Sequence, residues 1–326
     1  MLRMDGFSYV HAASWPEALA LWSAHPEAMY VSGGTDLLPN VKHGLFKPRT
    51  LVGLSGIRGG VDADSDRVVI GATTCLDEVA SNPIIRAMLP PLAQAAALVA
   101  SPQIRAMGTL GGNVLLDTRC LYYNQTEFWR RSLGYCLKAD GTWCHVVGGP
   151  KTCVAAQSSD TVPVLLALNA VLRLIGPGGA RELPIRDLFR FNGMDHLAIA
   201  KGELLTDIVV PTPGPGFVGS YTKLRTRESI DFPQLGLALC ATLEGGTLRS
   251  IELVLGAVNP QPKPIRGLEA FLGCSLDDAA IDAIADLVFK QTRPQESIAG
   301  DAPWRRQMAA VFTRRALVAV RAAGAA

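Results

Sequence analysis

The alternation of apolar and polar positions is clearest in the last third of the chain. Gly219 to Thr226, Leu235 to Leu243 and Leu248 to Ala257 alternate with the period of two that marks strands of an antiparallel sheet. Glu244-Gly245-Gly246 supplies the turn between the last two. Helical periodicity then predicts helices over Pro264 to Leu272, Asp277 to Gln291 and Pro303 to Ala323. Strands followed by helices predict an α+β domain over 217–326. A Pro-Thr-Pro-Gly-Pro-Gly linker at 211–216 separates it from a first domain over 1–213. In that domain a short helix, Pro16 to Leu21, follows Ser14 as N-cap. Met29 to Val31, Thr50 to Leu54 and Arg67 to Ala72 read as strands. Asp77 to Ala100 reads as a helix interrupted near Pro90-Pro91. The apolar run Val162 to Ala170 reads as helix, Val171 to Ile175 as strand, and Gly-Pro-Gly-Gly at 176–179 as a turn.

Two glycine-rich turns interrupt this pattern. Val31 runs into Ser32-Gly33-Gly34-Thr35-Asp36, where Thr35 or Asp36 can cap the next turn, Leu37 to Lys42. A strand, two glycines and a capped turn expose consecutive backbone N–H groups, a nest that suits phosphate. Thr109-Leu110-Gly111-Gly112-Asn113 repeats the arrangement some 75 residues on, so the two could clamp a pyrophosphate. Neither has the Gly-x-Gly-x-x-Gly spacing of the common dinucleotide fold, and an ordinary strand-to-helix turn is the plainer reading of each alone.

The residues between the second turn and the Val162 helix are of a different kind. Cys120, Cys136, Cys144 and Cys153 are four of the seven cysteines, with gaps of 15, 7 and 8 residues. The same stretch holds Tyr122, Tyr123, Phe128, Trp129, Tyr135 and Trp143. Four thiols beside aromatic surface suggest an iron–sulfur or zinc site; two disulfides, or four unrelated thiols, are the alternatives. Zinc sites favour paired Cys-x2-4-Cys knuckles, and there are none here. Met1 to Ser14 carries no secretory pattern and no run of 18 apolar residues occurs, which predicts a cytoplasmic protein with reduced thiols and no membrane span. That favours metal over disulfides. Net charge is +2, which gives no reason to expect nucleic acid as a partner. Cys75, Cys240 and Cys274 read as small structural hydrophobes, and the five histidines are scattered without a nucleophile–base pairing.

Ser32-Gly33-Gly34-Thr35-Asp36-Leu37, Gln103-Ile104-Arg105 leading into Thr109 to Asn113, and Ser158-Ser159-Asp160 before an apolar helix resemble the FAD-binding medium subunit of molybdenum hydroxylases, the xanthine dehydrogenase and carbon monoxide dehydrogenase family. Lys223 to Pro233, Leu255-Gly256-Ala257, Trp304-Arg305-Arg306 and Arg314 to Leu317 are similar to its C-terminal domain. In ordinary members the second turn passes almost directly into the Ser-x-x-Asp segment; here an insertion of roughly forty residues, about 115–155, intervenes. Asp117-Thr118-Arg119-Cys120, Tyr123-Asn124-Gln125, Gly134 to Lys138 and Cys144-His145-Val146 resemble the flavoprotein subunit of 4-hydroxybenzoyl-CoA reductases. In those subunits the insertion binds a [4Fe–4S] cluster.

The resemblance implies a two-part FAD-binding domain with the iron–sulfur insertion, then the C-terminal α+β domain. It implies FAD pyrophosphate across Val31, Ser32, Gly33, Gly34, Thr35 and Asp36 and across Thr109, Gly111, Gly112 and Asn113. Asp117 and Asp160 would meet the adenosine side or ribityl chain, and Lys223 would lie near the isoalloxazine. Cys120, Cys136, Cys144 and Cys153 would hold the cluster, and the chain would carry no catalytic residue for substrate. It further implies a large molybdopterin subunit and a small [2Fe–2S] subunit, assembled as a dimer of heterotrimers. Electrons would run from a ferredoxin-like donor through [4Fe–4S] and FAD to molybdenum, for reductive removal of a ring hydroxyl. Arg119, Arg130, Arg131, Lys138 and Lys151 outnumber Glu127 and Asp140 in the insertion and would steer an acidic donor toward it. The alternatives are the FAD subunit of an oxidative molybdenum hydroxylase with a structural metal loop, and a stand-alone FAD oxidoreductase. Closing a forty-residue loop costs about 3 kcal/mol plus a constant, and a structural metal can return on the order of 10 kcal/mol.

Overall fold

A computed structural model describes residues 4–25 and 27–324; the outermost residues of the two predicted domains lie outside this range. The fold is α+β in three sheets. Near the N-terminus Ser8–His11 and Met29–Val31 flank Thr50–Gly53 in a small parallel sheet. Its connection runs through the helix Trp15–Ala24, where the Ser14 side chain accepts from the Glu17 amide. This sheet ends at the first glycine turn, as a strand leading into a phosphate nest must.

The second sheet is antiparallel, in the order Val61–Ala63, Arg67–Gly71, Leu204–Pro211, Val171–Gly176, Gly179–Pro184. The Gly-Pro-Gly-Gly turn closes its last hairpin, with Gly176 paired to Gly179. Along Val171–Gly176 burial alternates strictly, and Leu172 and Leu174 enter the core. Each such leucine contributes about 1.5–3 kcal/mol of burial. The predicted helix after Cys75 is three helices, Leu76–Ser81, Pro83–Met88 and Pro90–Ala97. The additional break is local: the Asn82 side chain accepts from the amides of Ile84 and Ile85, and Pro83 cannot continue a helix begun before it.

After Pro211 the chain enters the third sheet, Phe217–Leu224, Leu235–Glu244, Thr247–Gly256 and the two-residue strand Lys263–Pro264. Gly245 (φ 55°) and Gly246 (φ 77°) make the tight turn, because two successive left-handed residues fit a twisted hairpin. The predicted helix over 264–272 is instead this edge strand followed by a short 3-10 turn, Leu268–Phe271. Leu235–Glu244 is buried on both faces. Ala238 and Cys240 pack with the first domain's core, while Leu237, Leu239 and Ala241 pack under the helices Asp278–Gln291 and Ala302–Gly324. Cys240 is therefore structural, as expected, whereas Cys274 is exposed. Arg305 is fully buried and spreads its guanidinium over the carbonyls of Gln234, Gln295 and Ala257. Burial lowers its pKa to about 10. No helix among the described residues is long and apolar enough to cross a membrane.

Candidate functional site

The two glycine turns stand side by side. An added Cβ on Gly33 would lie 1.9 Å from the Met107 carbonyl oxygen, so the first turn presses backbone to backbone on the segment leading into the second. Gly34 takes φ 70°, a conformation in which only glycine is relaxed. Both turns line a cavity of about 550 Å³. Its walls add Leu54, Leu76 and Leu204 from the first domain and Ile230, Asp231 and Phe232 from the second.

The turns are not equivalent. None of the amides from Gly33 to Leu37 donates to another group among the described residues. In the second turn Leu110 N donates to Thr74 O, Gly111 N to Ala72 O, Gly112 N to Thr109 Oγ1 at 3.2 Å and Asn113 N to Thr109 O. The expected clamp by two nests is thus corrected: only the first turn offers a run of free donors, and the second supplies wall. Asn113 likewise turns inward, its Oδ1 accepting from Ser159 Oγ at 2.6 Å and Thr161 Oγ1 at 2.7 Å. Asp36 does not cap its helix. Its carboxylate pairs with Arg119 and accepts from Asn40. Burial raises the Asp36 pKa against the opposing pull of Arg119.

Asp117 and Asp160 both line the cavity, but Lys223 does not. It is buried behind Asp160, donating to Asp160 Oδ2 at 2.9 Å and to Leu98 O at 2.9 Å. Tyr221 donates to the other oxygen of Asp160 at 2.7 Å. Burial raises the Asp160 pKa, with Lys223 opposing. Lys223 therefore reaches the cavity through the Asp160 carboxylate. Asp117 Oδ1 accepts from Lys138 Nζ at 2.6 Å, while Oδ2 is buried without a hydrogen-bond partner. An unpaired buried acceptor costs about 1–3 kcal/mol; the rest of the Asp117 side chain is 20 % exposed at the cavity wall.

The four cysteines of the insertion line one small pocket, each 6–8 % exposed, together with Tyr122, Tyr123 and Val146. Gly193 presses on one of the four: a Cβ there would meet Cys153 Sγ at 2.7 Å. Burial pushes the Cys120 thiol up to about 12 and raises Cys153, against which Lys138 acts. Thiols so desolvated ionise only when a cation compensates them, and an all-sulfur donor set suits iron–sulfur or zinc. One zinc ion draws its sulfurs to about 3.8 Å from one another, from a Zn–S bond of about 2.3 Å in a tetrahedron. No three His, Cys, Asp or Glu side chains among the described residues converge closely enough to hold one metal ion. The all-sulfur lining of the pocket serves zinc and iron–sulfur alike. His145 is not spare: its Nε2 bonds Tyr135 O at 2.8 Å.

The insertion's positive charge is spent inside the molecule. Arg130 is 2 % exposed, bonding the carbonyls of His43, Gly44 and Gln125 as well as Glu127. Arg119 serves Asp36 and stacks over Phe232, and Lys138 serves Asp117. Only Arg131 and Lys151 of the five face solvent, so the expected electrostatic attraction for a donor is much reduced. The outer surface carries Leu121, Phe128, Leu133, Trp143 and Val147 instead. Arg119, Lys138 and Phe232 were not among the expected site residues, because long-range pairings such as Arg119 with Asp36 leave no local mark in a sequence.

A glycine nest, an adjoining apolar cavity and a segment of the second domain along its wall suit a cofactor that joins a phosphate to a flat ring system. Residues 5–213 match the FAD-binding domain of molybdopterin dehydrogenases, and residues 220–320 match the C-terminal domain of carbon monoxide dehydrogenase flavoproteins. The carbon monoxide dehydrogenase medium chain of Afipia carboxidovorans is 31 % identical over 95 % of both chains. The glyceraldehyde dehydrogenase medium chain of Sulfolobus acidocaldarius is 28 % identical over 95 % of this chain and 96 % of its own. Carbon monoxide dehydrogenase from Hydrogenophaga pseudoflava, solved without its Mo-pyranopterin moiety, superimposes with a TM-score of 0.80 at 29 % identity, covering 98 % of this chain and 99 % of that one. The chain belongs to the FAD-binding medium subunits of the molybdenum hydroxylase family.

Proposed function

We propose that this chain is the electron-transfer subunit of a cytoplasmic molybdenum hydroxylase complex, holding FAD in the cavity between its glycine turns. FAD, when bound, supplies electron transfer between partner centres. The free amides from Gly33 to Leu37 carry the reading, because a row of donors beside an apolar cavity fits a pyrophosphate with a flat ring system attached. Gly34 lets the backbone adopt the nest, while Asp117 and Asp160 offer carboxylates to cofactor hydroxyls. Lys223 and Tyr221 keep Asp160 oriented. Leu54, Leu76, Leu204 and the Ile230–Phe232 segment exclude water. The similar carbon monoxide and glyceraldehyde dehydrogenase chains are medium chains, which supports an oxidising complex with a large molybdenum subunit and a small [2Fe–2S] subunit. The test is isolation of the native complex: both partner chains should co-purify, and an oxidisable substrate should bleach the flavin. A stand-alone flavin oxidase would come free of partners.

The cysteine insertion favours a second reading. All four thiols are buried around one pocket that Lys138 flanks, and Cys120, Cys136, Cys144 and Cys153 would hold a [4Fe–4S] cluster there. That is the arrangement implied by resemblance to 4-hydroxybenzoyl-CoA reductases, in which the complex works reductively on an aromatic thioester with a ferredoxin-like donor. A low-potential donor that drives dehydroxylation of a hydroxybenzoyl-CoA supports this reading. Zinc in place of iron returns the insertion to a structural staple.

A further inference from the structure

We infer that the Asp117–Lys138 ion pair couples retention of the cofactor in the cavity to the order of the cysteine insertion, so that each stabilises the other. The inference rests on FAD occupying that cavity. Asp117 belongs to both sites at once: it lines the cavity, and its Oδ1 takes Lys138 Nζ at 2.6 Å. Lys138 lies two residues beyond Cys136 and lines the thiol pocket. It is 7 % exposed and fully used, bonding Thr118 Oγ1 at 2.6 Å and Thr118 O at 3.3 Å and standing 4.5 Å over the Tyr123 ring. Its ammonium is therefore fixed by the insertion and in turn fixes Asp117. The Asp117 side chain stays 20 % exposed where it lines the cavity, while its Oδ2 is sealed from solvent. A hydroxyl donor entering the cavity meets the exposed part of this carboxylate, and the carboxylate so held fixes Lys138 and the residues around Cys136 more firmly. His196 backs the arrangement, its Nδ1 3.8 Å from Oδ1 and its Nε2 on Leu116 O at 3.1 Å. Coupling of this kind is reciprocal by thermodynamic necessity.

The wild-type chain tests this without mutation. FAD added to the deflavinated protein should slow amide hydrogen exchange in 136–146, none of which lines the cavity. Unchanged exchange there, with FAD bound, overturns the coupling while leaving the cofactor reading intact. Failure to bind FAD at all overturns the reading itself. Fluorescence titration with FAD then follows the pair. Lys138→Met should weaken FAD by about tenfold, within the 5–150-fold range of ordinary couplings. Lys138→Arg should restore most of the loss. Asp117→Asn combined with Lys138→Met should cost little more than Asp117→Asn alone, since both cut one link. Additive losses in that cycle, or FAD binding at wild-type strength in Lys138→Met, overturn the inference.

Discussion

The two glycines of the first turn look interchangeable in sequence, and the structure separates them. At Gly34 an alanine Cβ would press on the Leu38 side chain at 3.1 Å, which can swing aside, and touch Val31 Cγ2 at an ordinary 3.5 Å. The cost is the φ of 70°, about 1–2 kcal/mol for a residue with a Cβ. The empty turn can relax to avoid that cost, whereas the loaded turn cannot. The penalty therefore falls on binding, and Gly34→Ala should weaken FAD by about 5–30-fold. Gly34→Val, with a branched Cβ, should lose flavin on desalting. At Gly33 the obstacle is the Met107 carbonyl oxygen at 1.9 Å, which is backbone and has no rotamer to adopt. An ordinary contact needs more than 3 Å, so the first turn must move away from the segment at 107–108 by over an ångström. Moving the donors that far from a fixed pyrophosphate breaks several charge-assisted hydrogen bonds, each about 1.5–3 kcal/mol. Gly33→Ala should therefore come off the column colourless and need at least about a hundredfold more FAD to reload, the equivalent of about 2.7 kcal/mol. The assay is flavin absorbance per chain after desalting, then fluorescence titration of the deflavinated protein. A Gly33→Ala variant that keeps full flavin, or one less impaired than Gly34→Ala, refutes the reasoning.

Three further outcomes follow from the packing. Cys144→Ser removes one sulfur of four and should strip the insertion of metal and, through the Asp117–Lys138 link, weaken FAD without abolishing its binding. Gly193→Ala, which leaves every cysteine in place, should do the same by displacing Cys153 Sγ; full metal content in either variant counts against the pocket. Arg305→Met leaves the carbonyls of Gln234, Gln295 and Ala257 unpaired in the core and should lower stability by on the order of 3 kcal/mol. A melting temperature unchanged by that substitution contradicts the role. His196 is held neutral by burial, its pKa lowered, whereas the unfolded imidazole titrates near 6.5. Below that pH the unfolded chain binds a proton that the folded chain refuses, so stability should fall as pH drops from about 6.5 toward the lower folded value. His196→Gln should flatten the fall in denaturant midpoint between pH 7.5 and 5.5; an unchanged slope assigns it elsewhere.

What could be read in advance follows the range of the interactions. The Leu235–Glu244 and Thr247–Gly256 hairpin was legible because a period-two pattern and a Gly-Gly turn are local. The Ser14 cap and the thiol quartet were legible for the same reason. Ser8–His11 and Gly179–Pro184 escaped notice because nearly every position in them is exposed, so neither carries a buried apolar face to alternate with a polar one. No element is predicted over Leu204–Pro211, yet it pairs on both sides in the middle of its sheet. The second glycine turn resembled the first in composition, but tertiary partners such as Ala72 and Thr74 decide that its amides are spent. Counting charges misjudged the insertion's surface, since Arg119, Arg130 and Lys138 find partners 83, 87 and 21 residues away.

The most direct test of the whole account is the flavin and metal content of one anaerobically purified sample of the wild-type chain. The account predicts stoichiometric FAD, lost together with the Gly33→Ala substitution, and roughly four irons per FAD with negligible zinc. A chain that binds no FAD contradicts the central claim, whatever metal the insertion holds.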